Sequence, residues 1–286
     1  MEALTETLVS SALYVVATPI GNLADISLRA LHILEGVDQI AAEDTRHSSR
    51  LLNHYGIQSS LISLHEHNEQ VRTEELINCL AQGQNVALIS DAGTPLISDP
   101  GYGLVQRVAA AGYRVIPIPG ACAVVTALSA AGLPTDAFTF VGFSPSKAGA
   151  RKRFFESHAG RQETWVFYES PRRLVASLEN LLDAVGTDRQ VTIARELTKM
   201  HETLLRGELG ELVDNLRADP GQCRGEIVVL VNGLPAMEVA ALDDDADRLL
   251  KLLLAELPVT RAAQIVAHYR DLPRRQVYQR ALTLQE

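Results

Sequence analysis

Leu13-Tyr14-Val15-Val16-Ala17-Thr18-Pro19-Ile20-Gly21-Asn22 is an apolar run closed by Pro and Gly. Leu13 to Ala17 reads as a buried strand, and the breakers behind it as a tight loop at its C-terminal end. Ser27 can cap the next helix, where Leu28, Leu31 and Leu34 recur at helical spacing. The unit then recurs. Gln39 to Ala42 is a short strand ending at Glu43-Asp44-Thr45-Arg46, Val86 to Ser90 ends at Asp91-Ala92-Gly93-Thr94-Pro95, and Val115 to Ile118 ends at Pro119-Gly120. Strands alternating with helical stretches predict βαβ units and a mainly parallel sheet over residues 12–132.

The pattern restarts after Leu133. Phe138 to Phe143, Thr164 to Tyr168, Gln190 to Arg195 and Glu226 to Val231 read as strands, with a helix over Leu174 to Ala184, giving a second α/β domain over residues 133–234. From residue 240 to 286 the composition changes. Asp243-Asp244-Asp245-Ala246-Asp247 leads into a leucine-rich helix, Thr260 can cap a second, and a third spans Pro273 to Leu282. Three short helices with tight connections read either as a helix-turn-helix or as a solvated helical tail. Five arginines (Arg261, Arg270, Arg274, Arg275 and Arg280) stand against two acids beyond Pro258.

The whole chain carries a net charge of −9, which excludes a protein that coats nucleic acid indiscriminately, so basic character has to be sought by segment. The 47% hydrophobic but only 5% aromatic composition implies an aliphatic core, as buried parallel strands require. Cys79, Cys122 and Cys223 have no disulfide or zinc spacing, which points to a reducing cytoplasm. Met1 to Ser10 has no basic residue and no long apolar run, so neither a signal peptide nor a membrane span is expected there.

Three loops with Gly or Pro at strand C-termini mark the ligand-binding edge of an open α/β sheet. Neither a P-loop nor a Gly-x-Gly-x-x-Gly follows the strands, so a ligand without phosphate is expected there. S-adenosylmethionine fits that description. Lys199, His201 and Glu202, with Glu43, Asp44 and Arg46, carry the charge to activate or orient a substrate hydroxyl, against the alternative of a surface ion-pair cluster. Ser144 to Arg153 is the most basic segment, and Lys147, Arg151, Lys152 and Arg153 are candidates for phosphate contact. His65 and His67 share one face of a predicted strand, but without a third ligand no metal site is expected.

Several motifs together resemble the ribosomal RNA small subunit methyltransferase I family. These are the Leu13–Leu23 opening, Ala42-Glu43-Asp44-Thr45-Arg46, His65-Glu66-His67-Asn68-Glu69, Ser90 to Gly101, Tyr168-Glu169-Ser170-Pro171-Arg172-Arg173, Arg195 to Lys199 with His201-Glu202, and Gly225-Glu226-Ile227-Val228. One stretch departs from the family, because Pro119-Gly120-Ala121-Cys122-Ala123 stands where relatives more often have Pro-Gly-Pro-Ser-Ala. The resemblance implies two tetrapyrrole-methylase-like α/β domains with a cofactor cleft between them, usually in a homodimer. It implies cofactor contacts at Pro19, Ile20 and Gly21, at Asp91, Ala92, Gly93, Thr94 and Pro95, and at Thr126 and Ala127. Phe167, Tyr168 and Glu226 would close the site from the second domain. Substrate handling would fall to Arg172 and the charged residues above, with Lys199, Glu202 and Glu43 as catalytic candidates. The implied substrate is a cytidine 2′-hydroxyl in the decoding region of 16S rRNA, within the small ribosomal subunit. The rival readings are a corrin-precursor methyltransferase on the same fold, which needs no basic loop, and a non-catalytic RNA-binding assembly factor, which needs no cofactor loops.

Overall fold

A computed structural model of the chain describes residues 8–65, 67–234, 244–270 and 272–284. The chain divides into two compact bodies: residues 1–159 with 163–232, and Gly160–Gln162 with Gly233–Glu286.

The first body opens with β1 (Ala12–Val16), α1 (Leu28–Gly36), β2 (Gln39–Ala42), α2 (Thr45–His54) and β3 (Ser60–Ser63). It continues through α3 (Glu69–Ala81), β4 (Val86–Ile89), α4 (Tyr102–Ala110), β5 (Arg114–Ile118) and α5 (Ala123–Ala131). The five strands form one sheet in the order β3-β2-β4-β1-β5, parallel throughout. The Ser27 hydroxyl accepts from the Ala30 N–H at 3.0 Å, so the expected cap starts α1. Alternation along the strands fills both faces. Ala12, Tyr14, Val16, Ala87 and Ile89 pack against α1 and α2 residues, and Leu13, Val86 and Leu88 pack against Leu76, Leu80 and Leu104 from α3 and α4. Burying each leucine contributes about 1.5–3 kcal/mol.

The second half adds β6 (Phe138–Phe143), α6 (Ala148–His158), β7 (Thr164–Glu169), α7 (Leu174–Val185) and β8 (Gln190–Arg195). Then come β9 (Thr203–Glu208), α8 (Leu209–Ala218) and β10 (Ile227–Val231), giving a sheet ordered β6-β7-β10-β8-β9. Only β6 and β7 are parallel here, and the other three pairings are antiparallel. The parallel sheet expected over residues 12–132 is therefore present, and the second sheet is mixed. β8 and β9 are joined by seven residues, Glu196 to Glu202, too few for a crossover helix but enough for a hairpin loop. β3 and β9 were not anticipated, because Ser60-Leu61-Ile62-Ser63 is short and Thr203 to Glu208 mixes charge with apolar residues.

One face of this sheet packs Trp165, Phe167, Ile193 and Val229 against α6, α7 and α8. The other presents Val166, Ala194, Val228 and Leu230 to α5 and to Ile20 of the first half. The Thr192 hydroxyl also donates to the Ala131 carbonyl at 3.0 Å. The last helix of the first half thus serves the second sheet.

The second body holds α9 (Asp244–Leu254), α10 (Val259–Tyr269) and α11 (Arg274–Thr283) around Leu250, Ala263, Val266 and Val277. Residues 240–243 and Asp271 lie outside the described residues. Thr260 falls one residue inside α10, behind Pro258 at the cap position. Among the described residues no helix is long and apolar enough to cross a membrane. Arg280 turns to Asp247, with Nε–Oδ1 at 2.7 Å and Nη2–Oδ2 at 2.6 Å. That hydrogen bond, with the charges of Arg280 and Lys251, holds the Asp247 carboxyl below its ordinary pKa despite burial. A depressed carboxyl pKa stabilises the fold above the unfolded pKa and ceases to do so as pH falls through the folded value. Asp247→Ala should cost roughly 1–2 kcal/mol, so amides of α9 and α11 should exchange ~5–30-fold faster at neutral pH. The difference between variant and parent should vanish in acid, and equal exchange at neutral pH would show that the pair contributes nothing.

Candidate active site

The loops behind β1 and β4 are joined by backbone. The Thr18 N–H donates to the Gly93 carbonyl at 2.9 Å and the Gly93 N–H to the Thr18 carbonyl at 3.0 Å. The Thr18 hydroxyl adds a bond to the Ser90 carbonyl at 3.2 Å. Gly93 has φ +84°, and a Cβ there would meet Ile20 Cγ2 at 3.2 Å, so the residue suits both the conformation and the close approach. The Asp44 N–H donates to Asp91 Oδ1 at 3.0 Å, tying the β2 loop in, and the Thr94 hydroxyl donates to the Ala121 carbonyl at 3.0 Å, tying in the β5 loop. Four strand ends thereby share one hydrogen-bonded rim. Leu96 and Ser98 both adopt positive φ, 75° and 73°, in the turn that returns the chain to α4. Burial, aided by the Asp91 charge and opposed by a Ser90 hydrogen bond, raises the pKa of Asp99 in that turn.

The second half meets this rim at Gly21. A Cβ on Gly21 would lie 2.5 Å from Lys199 Cγ, 2.8 Å from Thr198 Oγ1 and 3.0 Å from the Leu197 carbonyl. The β8–β9 loop is itself tightly built. Glu196 and Thr198 take positive φ, and the Thr198 N–H donates to Glu202 at 2.6 Å. Lys199 Nζ reaches Glu196 Oε1 at 2.9 Å and Glu226 Oε2 at 3.1 Å. Burial opposes the charge of Lys199, but the two carboxylates outweigh it and raise its pKa, so the amine is an ammonium at neutral pH. The Glu226 N–H donates to Glu196 at 2.9 Å, the leading cause of a lowered Glu196 pKa. Lys199 is therefore a positioned cation and not a base, while Glu202 caps its loop.

Tyr168 stands between the halves, its ring 4.8 Å from Phe140 and 5.2 Å from Phe143. Burial, followed by the charges of Cys122 and Asp99, pushes its phenol pKa above the ordinary value, against a Val124 backbone hydrogen bond. Beside it Glu169, 2% exposed, accepts from the Ser144 and Ser177 hydroxyls, from the Ser170 N–H at 2.7 Å, and from Arg173 at 3.0 Å.

Several predicted residues fall elsewhere. Phe167 points into the core on the far face of its sheet, because side chains alternate and Tyr168 takes the near face. Ala127 is fully buried on α5, with Thr126 half-buried beside it. Arg151 is 5% exposed, with Nε on Asn180 at 3.1 Å, and so cannot offer itself to a phosphate. Lys147, Lys152, Arg153 and Arg172 are exposed. Asp44 caps α2 through the Arg46 N–H at 2.8 Å, and Arg46 is 91% exposed at the surface. Glu43 is half-buried at the end of β2, and His201 is exposed past Lys199. His65 and His67 lie beyond the end of β3 and not on a strand, their rings 5.9 Å apart. Glu196, Asp99 and Ser48 were missed. Glu196 and Asp99 sit inside quoted motifs, but nothing in their spacing shows that the chain returns them to the site. Gly21→Val should force the two loops apart. At about 1–3 kcal/mol for such overpacking, S-adenosylmethionine affinity measured by calorimetry should fall roughly tenfold or more. Unchanged affinity with an intact circular dichroism spectrum would detach this junction from the cofactor.

The profile of the tetrapyrrole (corrin/porphyrin) methylases matches residues 12–213, and that of the RsmI C-terminal HTH domain matches residues 240–285. Among solved structures, uroporphyrin-III-C-methyltransferase from Thermus thermophilus shares the fold, with TM-score 0.56 and 20% identity over 78% of this chain and 94% of that one. The methyltransferase CobJ superposes with TM-score 0.58 at 20% identity over 77% and 93%. The Ribosomal RNA small subunit methyltransferase I of Escherichia coli O157:H7 is 50% identical over 96% of this chain and 95% of its own length. That of Pseudomonas aeruginosa is 50% identical over 96% and 98%, and that of Neisseria meningitidis serogroup B 41% over 99% and 97%. With half its residues shared along nearly its whole length, and with both domain profiles in order, the chain belongs to the ribosomal RNA small subunit methyltransferase I family.

Proposed function

We propose that this protein methylates RNA with S-adenosylmethionine, and that the acceptor is the ribose 2′-hydroxyl of a cytidine in the decoding region of 16S rRNA, met on the small ribosomal subunit in the cytoplasm. The observation that carries the reading is the Lys199 ammonium, clamped by Glu196 and Glu226 against the Gly21 loop.

The cofactor supplies an electrophilic methyl group on a sulfonium, which needs positioning more than activation. The residues present fit it. The buried Thr198 hydroxyl beside Gly21 has no hydrogen-bond partner among the described residues. Lys199, Glu196 and Glu226 together sum to one negative charge, which suits a cationic donor. Pro19, Ile20, Gly21, Ala92, Gly93, Thr94, Pro95 and Tyr168 would hold it. The neutral Tyr168 phenol can donate a hydrogen bond. Lys199 would lower the cost of negative charge developing on the attacking oxygen. His201, exposed next to it, faces the solvent that can take the hydroxyl proton.

Residues 12–132 and 133–234 would supply the two walls of the site, and residues 240–286 an RNA-facing tail. The exposed Lys147, Lys152, Arg153 and Arg172 would contact phosphates. In the tail Arg280 is committed to Asp247, while Arg261 and Arg274 are exposed.

Lys199→Met should lower single-turnover methyl transfer roughly 10²-fold and leave the subunit concentration for half-maximal rate nearly unchanged. Subunits carrying 2′-deoxycytidine at the target should accept no label. A label on the base, or equal transfer to the deoxy substrate, would defeat the ribose assignment. Lys147→Ala, Lys152→Ala and Arg153→Ala together should reduce the slope of log affinity against log salt by about one unit for each phosphate that the loop no longer neutralises. An unchanged slope would remove the loop from the RNA interface.

A further inference from the structure

A cavity of ≈210 Å³ opens between the β1 loop, the end of β4 and α2. Its apolar walls are Pro19, Leu23 and Leu51. Two polar side chains in its lining have hydrogen-bonding capacity to spare. Ser48, only 2% exposed, has a hydroxyl without a partner among the described residues. Asp91, also in the lining, is fixed in orientation because its Oδ1 accepts the Asp44 N–H at 3.0 Å. The other hydroxyls in the lining are occupied: Thr18 donates to the Ser90 carbonyl at 3.2 Å and Ser90 to the Gly93 carbonyl at 3.3 Å. His47 and Arg50 stand exposed at the lining's edge.

Size and charge decide what this cavity takes. Sites that enclose a whole drug-sized ligand run to about 300–1,000 Å³, so this space suits one ring and not an entire S-adenosylmethionine. No second-half residue contributes to its lining, whereas the Lys199 clamp meets Gly21 from that half. A rim of His47, Arg50 and the nearby Arg46 matches phosphates on either side of a nucleotide and opposes a sulfonium. A fixed carboxylate above apolar walls matches an exocyclic amine, as in carboxylate readout of cytosine N4. Enzymes that work on one nucleotide of a folded RNA draw it out of its stack into such a pocket.

We propose that this cavity receives the unstacked base of the target nucleotide, with Asp91 accepting from the exocyclic amine of cytosine and Ser48 bonding its ring nitrogen or carbonyl oxygen. The assignment rests on the ribose-methylation reading and adds the determinant of base choice. Uracil at the target would set a carbonyl oxygen against the Asp91 carboxylate. Asp91→Asn keeps the acceptor for the Asp44 N–H and turns an amide donor toward that position.

The test is single-turnover transfer of labelled methyl from saturating S-adenosylmethionine to small subunits carrying cytidine or uridine at the target, with cofactor affinity measured separately by calorimetry. The parent enzyme should prefer cytidine by about tenfold or more, and Asp91→Asn should bring the two rates to within roughly threefold. Ser48→Ala should raise the subunit concentration for half-maximal rate several-fold and leave cofactor affinity within about twofold. If Ser48→Ala instead weakens the cofactor, the cavity belongs to the donor and the proposal falls. If both variants keep the parent's cytidine preference and subunit dependence, the cavity reads no base and the proposal also falls. A parent enzyme that labels neither ribose would overturn the functional reading itself, a result distinct from either variant outcome.

Discussion

The two backbone hydrogen bonds between Thr18 and Gly93 fix the geometry on which the rest of the site depends. β1 and β4 are neighbours in a parallel sheet, so their C-terminal ends emerge side by side. Loops leaving adjacent parallel strands have no ladder to hold them, and here the bridge extends the pairing beyond the sheet edge. It uses a residue without Cβ at φ +84° because Ile20 packs directly over it. A side chain at Gly93 would both strain the backbone and lift Ile20 from the cluster that includes Val166, Val228 and Leu230. The bridge therefore bears on the loop and also on the packing between the two halves of the first body.

From that bridge the rim divides. Toward the second half, the absence of a side chain at Gly21 lets Leu197, Thr198 and Lys199 approach the β1 loop. Toward α2, Asp91 takes the Asp44 N–H, and Asp44 in turn caps α2 through the Arg46 N–H. The carboxylate of one loop thus positions the helix that carries Ser48 and Arg50. Helix capping and cavity shape are coupled: movement of Asp91 would disturb the α2 N-terminus as well as one wall of the cavity. In the proposed reaction the first side serves methyl transfer and the second serves choice of nucleotide.

Much of this was legible in the sequence, and the failures have physical causes. Apolar runs located β1, β2, β4 and β5 to within a residue, closed by Pro or Gly after β1, β4 and β5 and by Glu43 and Asp44 after β2. The second sheet was recognised as strands but not as antiparallel, since pairing direction depends on connection length and partner, and β9, with Arg206 and Glu208, carries no apolar run. Arg151 read as a phosphate ligand because charge in a basic stretch looks uniform, yet helical periodicity turns it inward to Asn180 and leaves Lys152 and Arg153 outside. Phe167 and Tyr168 could have been separated by strand alternation alone. Ser48 had no signal, because an unpartnered buried hydroxyl is a property of its surroundings and not of its neighbours in sequence.

Charge is distributed in a way that reconciles a net of −9 with an RNA substrate. Many basic side chains are already committed: Arg173 to Glu169, Arg217 to Glu179, Arg280 to Asp247 and Lys199 to two carboxylates. Those cations hold the fold and the active site, and their fields are largely cancelled locally. Exposed cations of the first body include Arg46 and Arg50 on α2, Lys147, Lys152 and Arg153 at and just before the start of α6, and Arg172 just before α7. Attraction to phosphate would then come from a few separated points within an otherwise repulsive surface. Such a surface gains little from a flexible strand, which meets the repulsion wherever it touches. It gains most from an RNA held rigid by its own folding, whose phosphates meet those points together.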